Sequence, residues 1–88
     1  MKVIFLNSFK KDLLKITNVK EREQVKTIIL EIEKAENLKE LTNLKKLKGY
    51  STAYRIRIGN YRLGFYYDNE TIEMARLVKR NDIYKVFP

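Results

Sequence analysis

The stretch "YRIRIGNYRLGFYY", Tyr54 to Tyr67, constrains the chain more than any other segment. It alternates apolar or aromatic residues with arginine on both sides of Gly59-Asn60. Alternation of period two around a Gly-first pair is the signature of a β-hairpin with a two-residue loop. In that register Ile58 faces Tyr61, Arg57 faces Arg62, Ile56 faces Leu63 and Tyr54 faces Phe65. Tyr54, Ile56, Ile58, Tyr61, Leu63 and Phe65 then share one face, and Arg55, Arg57, Arg62 and Gly64 the other. Two arginines directly opposed cost a few tenths up to about 1 kcal/mol. Glu73 is the one carboxylate in these strands near enough to offset them. One reading has arginine stems covering apolar surface with their heads in water. The other has an anion held between them, and the planar guanidinium fork suits phosphate better than lysine does.

The rest of the chain is consistent with an antiparallel sheet carrying helices. Val3 to Leu6 reads as a strand ending at Asn7-Ser8, either of which can cap a helix that places Phe9, Leu13 and Ile16 on one side. Thr17 or Asn18 can cap a second helix, with Glu21 and Glu23 in its first turn and an apolar stripe of Val25, Ile28, Ile29, Ile32 and Ala35. The short connection predicts an antiparallel helix pair. Leu38, Leu41, Leu44 and Leu47 recur at three residues, not seven, which predicts a helix end and a loop dipping into the core, not a zipper. Lys45, Lys46 and Lys48 approach Gly49, which ends that segment. A last strand, "IEMARLVKR", follows the turn signal "DNE". A three-residue loop, Asp68 to Glu70, pairs Arg62 with Arg76, turns Ala75 and Leu77 to the core, and brings Arg76 and Arg80 to the arginine face. The order β-α-α-β-β-β predicts an α+β domain, a two-helix hairpin packed on a mainly antiparallel sheet whose opposite face is concave or open.

At 88 residues the chain has room for one core, so residues 1–88 are read as a single domain. Cysteine and histidine are both absent, which excludes disulfides, thiol nucleophiles, imidazole bases and ordinary zinc sites. No metal or cofactor is called for, and chemistry must come from Lys, Arg, Tyr or carboxylates. The net charge is +8, and it is uneven. Residues 1–44 hold nine basic and seven acidic side chains, whereas residues 45–88 hold ten and four. A basic half on a small domain points to a polyanion or an acidic partner. The apolar run from Val3 to Leu6 is too short for a signal peptide or a membrane span, so a cytoplasmic protein with no membrane association is expected. Tyr50, Tyr54, Tyr61, Tyr66, Tyr67 and Tyr84 are interleaved with the charge. Tyr54 and Tyr61 belong to the core by parity, while Tyr66 shares the arginine parity and Tyr84 lies beyond Arg80, where bases of single-stranded RNA can stack.

"LKKLKG" at 44–49, "YRIRIGNYRLGFYYD" at 54–68 and "RLVKRNDIYK" at 76–85, in that order and spacing, resemble the RelE/ParE superfamily of type II toxins. The resemblance covers nearly the whole chain. For the RelE-like branch it implies a ribosome-dependent endoribonuclease that cuts mRNA by attack of a ribose 2′-hydroxyl on the adjacent phosphate. By similarity Arg55 and Arg57 take the two basic positions of the second strand, Arg62 the arginine after the turn, Arg80 the arginine ending the last strand, and Tyr84 the C-terminal tyrosine. Lys79 stands where many relatives have histidine. Lys45, Lys46, Lys48, Tyr66, Arg76 and Lys79 are the expected RNA contacts. Guanidinium groups can stabilise the charge gained by pentavalent phosphate, with Arg62 and Arg80 in that role. Tyr84, with an ordinary pKa of about 10, would act as base, favoured by the surrounding positive charge, or as stacking platform. The resemblance also implies a cognate antitoxin covering the arginine face or displacing the Tyr84 segment, in a toxin-antitoxin hetero-oligomer. Two rivals are a ParE-like DNA gyrase inhibitor and a non-catalytic basic RNA-binding module.

Overall fold

A computed structural model describes residues 1–88. The elements run β1 (Lys2–Phe5), α1 (Asn7–Leu14), α2 (Val19–Lys34), a 3-10 turn (Leu38–Glu40), β2 (Leu44–Lys46), β3 (Ala53–Ile58), β4 (Tyr61–Asp68), β5 (Thr71–Lys79) and α3 (Ile83–Val86). They build one five-stranded sheet in the order β1-β5-β4-β3-β2. All neighbours are antiparallel except β1 and β5, so the expected α+β architecture stands.

The β3–β4 hairpin has the register that its alternation predicts, with Ile58 opposite Tyr61 and Arg57 opposite Arg62. Gly59 supplies the left-handed turn residue, at φ 57°. One sheet face carries the main core, where Ile56, Ile58, Leu63, Phe65, Ile72, Met74 and Leu77 meet Phe9, Ile16, Val25 and Ile32 from the helical segment. Burying each of these side chains contributes about 1.5–3 kcal/mol. Tyr54 and Tyr61 pack against this cluster, as parity requires. Asn18 caps α2, its side chain accepting from the Glu21 N–H at 3.0 Å.

Four expectations need correction. Neither Asn7 nor Ser8 caps α1; Leu6 holds that position without a side-chain bond. Ser8 is recruited elsewhere, its hydroxyl donating to the Ala75 carbonyl at 2.6 Å. Second, the β4–β5 loop has two residues, Asn69 and Glu70, both at positive φ, because Asp68 already pairs with Thr71. A bulge then shifts the register between Gly64 and Phe65, so Arg62 pairs with Val78 and not Arg76. The bulge moves the core-facing parity from Ile72 and Met74 to Leu77 and leaves Ala75 on the opposite face. Third, the leucine segment dips into the core as expected but includes strand β2, whose Lys45 pairs with Arg55. Fourth, the far face is concave at the arginines but covered in part. Ala53, Ala75, Ile83 and Phe87 form a second buried cluster there, closed by α3.

Where β1 stops, α1 takes over the edge of β5. Leu6 N–H donates to the Met74 carbonyl at 3.0 Å. Buried Asp12 accepts from the Leu77 N–H at 2.9 Å and from Arg76 Nε at 2.7 Å and Nη2 at 3.2 Å. Removing one partner from a buried charged network of this kind costs about 3–5 kcal/mol, so Asp12 is a structural brace.

Candidate functional site: an arginine cluster on the sheet face

Three strands and the C-terminal turn assemble the site. Arg57 donates its backbone N–H to the Asn43 carbonyl on the β2 side, at 3.3 Å. The Arg57–Arg62 pair therefore lacks mutual backbone hydrogen bonds, and in such pairs the side chains lie closer together. Arg62 Nη1 donates to the carbonyls of Gly59 at 3.1 Å and Tyr61 at 2.9 Å. The turn thus fixes one end of this guanidinium, leaving the rest of the fork available. Arg80, just after β5, is anchored beside the same turn by its N–H bond to the Asn60 carbonyl at 3.0 Å. Tyr84, on α3, is exposed and lies over Arg55, whose Cζ is 4.8 Å from the ring centroid.

The charges are felt mutually. Arg62 is held below the ordinary arginine value, first by partial burial and then by Arg57, Arg80 and Arg55, with Tyr84 acting in the opposite direction. The one ion pair of the protein joins Arg76 to Asp12, so the cluster has no carboxylate of its own. A hollow of about 300 Å³ opens between Asn43, Leu44, Lys45, Arg55, Arg57 and Arg62. Polar donors of one sign around an open hollow can bind an anion of the size of a phosphodiester.

The structure brings together Arg55, Arg57, Arg62, Arg80, Tyr84 and Lys45. Lys46 and Lys48 line a neighbouring hollow, with Lys46 Nζ also 5.9 Å from the Tyr54 ring centroid. Three expected contacts lie elsewhere. Arg76 is held by Asp12, whose hydrogen bond raises its pKa against the effect of burial. Lys79 pairs with Tyr61 and shares its parity, which belongs to the helix-covered face. The Tyr66 ring packs 5.1 Å from Phe87 in the second cluster, so it is not a free stacking platform. Asn43, which lines the first hollow, escaped the sequence reading, and Tyr50, which lines the second, was counted among the interleaved tyrosines without a place in the site. A turn asparagine and an isolated tyrosine carry no periodic signal that would mark them.

A family model described as "ParE toxin of type II toxin-antitoxin system, parDE" matches residues 3–84. Toxin RelE3 of Methanocaldococcus jannaschii is 42% identical over 89 residues, covering 100% of both chains. A chain of the RelB-RelE antitoxin-toxin complex from Methanococcus jannaschii superposes with a TM-score of 0.80 at 38% identity, covering 97% of this chain and 99% of that one. The intact RelBE toxin-antitoxin complex of E. coli gives 0.69 at 23% identity over 89% and 94% of the two chains, a likeness of fold alone. The motifs, the arginine-bearing sheet and these matches converge, and the chain belongs to the ParE toxin family of type II toxin-antitoxin systems.

Proposed function

We propose that this toxin is a ribosome-dependent endoribonuclease that cuts mRNA and is neutralised by a cognate antitoxin, acting in the cytoplasm where ribosomes are. The observation that carries this reading is the Arg57–Arg62 pair, side by side with no carboxylate between them and continued by Arg55 and Tyr84. Whole-length similarity to Toxin RelE3 supports it, as does likeness to a RelB-RelE antitoxin-toxin complex. Repulsion among these groups at rest becomes attraction once a phosphate sits among them.

In the reaction a ribose 2′-oxygen bonds to the adjacent phosphorus and the bond to the 5′-oxygen breaks. The 2′-hydroxyl loses a proton and the 5′-oxygen gains one, leaving a 2′,3′-cyclic phosphate and a 5′-hydroxyl. Arg62, preorganised by the Gly59 and Tyr61 carbonyls, and Arg80 stabilise the charge that develops on the phosphoryl oxygens. Arg57 and Arg55 hold the phosphodiester, and Lys45, Lys46 and Lys48 follow the strand. Tyr84 takes the 2′-hydroxyl proton or supports a base by stacking, roles that Tyr84→Phe separates. The ribosome contributes by positioning the mRNA.

The test is primer extension on an mRNA in a reconstituted translation reaction, with and without ribosomes. Cleavage is expected only with ribosomes, and Arg62→Ala is expected to lower it at least about 100-fold, as removal of one preorganised transition-state donor does. Tyr84→Phe with full activity leaves the tyrosine a stacking role alone. The family model's ParE description favours a second reading, inhibition of DNA gyrase without RNA cleavage. No cleavage in either condition, with loss of supercoiling by gyrase, would establish that reading instead.

A further inference from the structure

The geometry points to a nucleobase-binding hollow built on Tyr50, beside the phosphate site and sharing Arg55 and Lys45 with it, which makes Tyr50 a specificity-determining residue. This inference rests on the RNA-cleaving reading above. The second hollow, of about 440 Å³, shares Lys45 and Arg55 with the arginine hollow, so the two are neighbours on either side of these residues. Their linings differ in kind. The arginine hollow has Leu44 as its one apolar residue, whereas the second is lined by Leu47, Tyr50, Ile83, Tyr84 and Phe87 under a rim of lysines.

The apolar lining of this hollow is closely packed. Ile83 and Phe87 are buried. Phe87 lies on Gly64 so closely that a Cβ there would be 2.6 Å from its ring, and Tyr66 packs against it at 5.1 Å. The rim aromatics are open, with Tyr50 exposed to 52% and Tyr84 to 69%. Tyr84 already has Arg55 on its ring. Tyr50 has neither a ring nor a cation as partner within the protein. An unpartnered ring beside a closely packed apolar lining, with Lys45, Lys46 and Lys48 around it, suits a flat aromatic group joined to a phosphate backbone. A base of single-stranded RNA has both features, stacking through its face while its phosphates meet the lysines. Because the hollows share Arg55 as a wall, the base that enters belongs to a nucleotide adjoining the phosphate held by the arginines.

The deciding experiment maps cuts on a long mRNA bound to ribosomes for the wild type, Tyr50→Ala and Tyr50→Phe. Tyr50→Ala is expected to lower kcat/KM about tenfold, the contribution of one base–aromatic stack, and to level the base preference beside the cut, while Tyr50→Phe retains both. Unchanged rate and unchanged cut-site pattern in Tyr50→Ala overturn the proposal. A second measurement does not depend on cleavage. A 2′-O-methylated tetranucleotide, which lacks the attacking hydroxyl, is titrated against the three proteins with tyrosine fluorescence as readout. About tenfold weaker binding by Tyr50→Ala alone supports the hollow; equal affinities, or no saturable binding by the wild type, overturn it. If the wild type cuts no mRNA with ribosomes, the RNA-cleaving reading fails, and the titration still decides whether this hollow takes a base.

Discussion

Arg57 and Arg62 oppose one another on adjacent strands, and the fold carries their repulsion without a compensating carboxylate. Arg62 is bonded to two turn carbonyls, whereas Arg57 is exposed and makes no side-chain hydrogen bond. Neutralising Arg57 therefore relieves repulsion without breaking a contact. Like-charge pairs cost a few tenths to about 1 kcal/mol, and exposure puts this one in the lower half of that range. Arg57→Gln is expected to raise the melting midpoint by about 1–4 °C in low salt. The gain should vanish near 1 M salt, where the Debye length is about 3 Å. Calorimetry at the two salt concentrations checks this, and a lowered midpoint would mean the pair is not a source of strain. No comparable pH effect is available near neutrality. Arg62 has its folded value depressed, so its unfavourable contribution is relieved only as pH rises through that value. Arg76 has its folded value raised, so its favourable contribution persists until pH rises through that higher value. Both transitions belong to strongly alkaline solution, so these groups leave stability flat across the neutral range.

Among the elements, β3 and β4 were legible because strict alternation and a Gly-first pair specify register locally. The β4–β5 pairing was not. Its bulge is compatible with the strand pattern only once α1 supplies Ser8, Asp12 and the Leu6 N–H to the free edge of β5. The four-residue helix α3 was missed for a related reason. Four residues are too few for a periodic signal, and the helix persists because Ile83 and Phe87 bury against Ala53 and Ala75. Gly64 is the hinge of that arrangement, since any side chain there meets the Phe87 ring. Gly64→Ala is expected to cost about 1–3 kcal/mol through overpacking and to move α3 so that Tyr84 leaves Arg55. Thermal melts followed by circular dichroism should show a folded but less stable protein, with cleavage reduced further than the loss of folded population explains. Adding Phe87→Leu should restore part of both. Wild-type activity in Gly64→Ala would show that Tyr84's position on α3 is immaterial.

For the whole molecule, the uneven charge of the sequence becomes an uneven surface. Residues 45–88, with ten basic against four acidic side chains, contribute the arginine cluster, and the lysines of β2 extend it. An antitoxin segment that is disordered until bound can wrap such a surface and offer carboxylates to it. Arg57→Glu combined with Arg62→Glu is expected to weaken the antitoxin complex about 30-fold or more, the scale of breaking buried charged contacts. Titration calorimetry with the cognate antitoxin measures it, and unchanged affinity would place the antitoxin on another surface. By itself the amino-acid sequence determined the hairpin register, the arginine-bearing face and the fold class, and narrowed the α2 cap to Thr17 or Asn18, because alternation, capping and turn chemistry act between near neighbours in the chain. The tertiary structure alone decided that Arg76 braces Asp12, that Lys79 faces the helices, that Tyr66 lies beneath Phe87, and that Tyr50 stands at the lip of a hollow. Each of those outcomes depends on what a distant segment places opposite the residue. A bulge that shifts a strand by one position changes that partner without altering any local pattern.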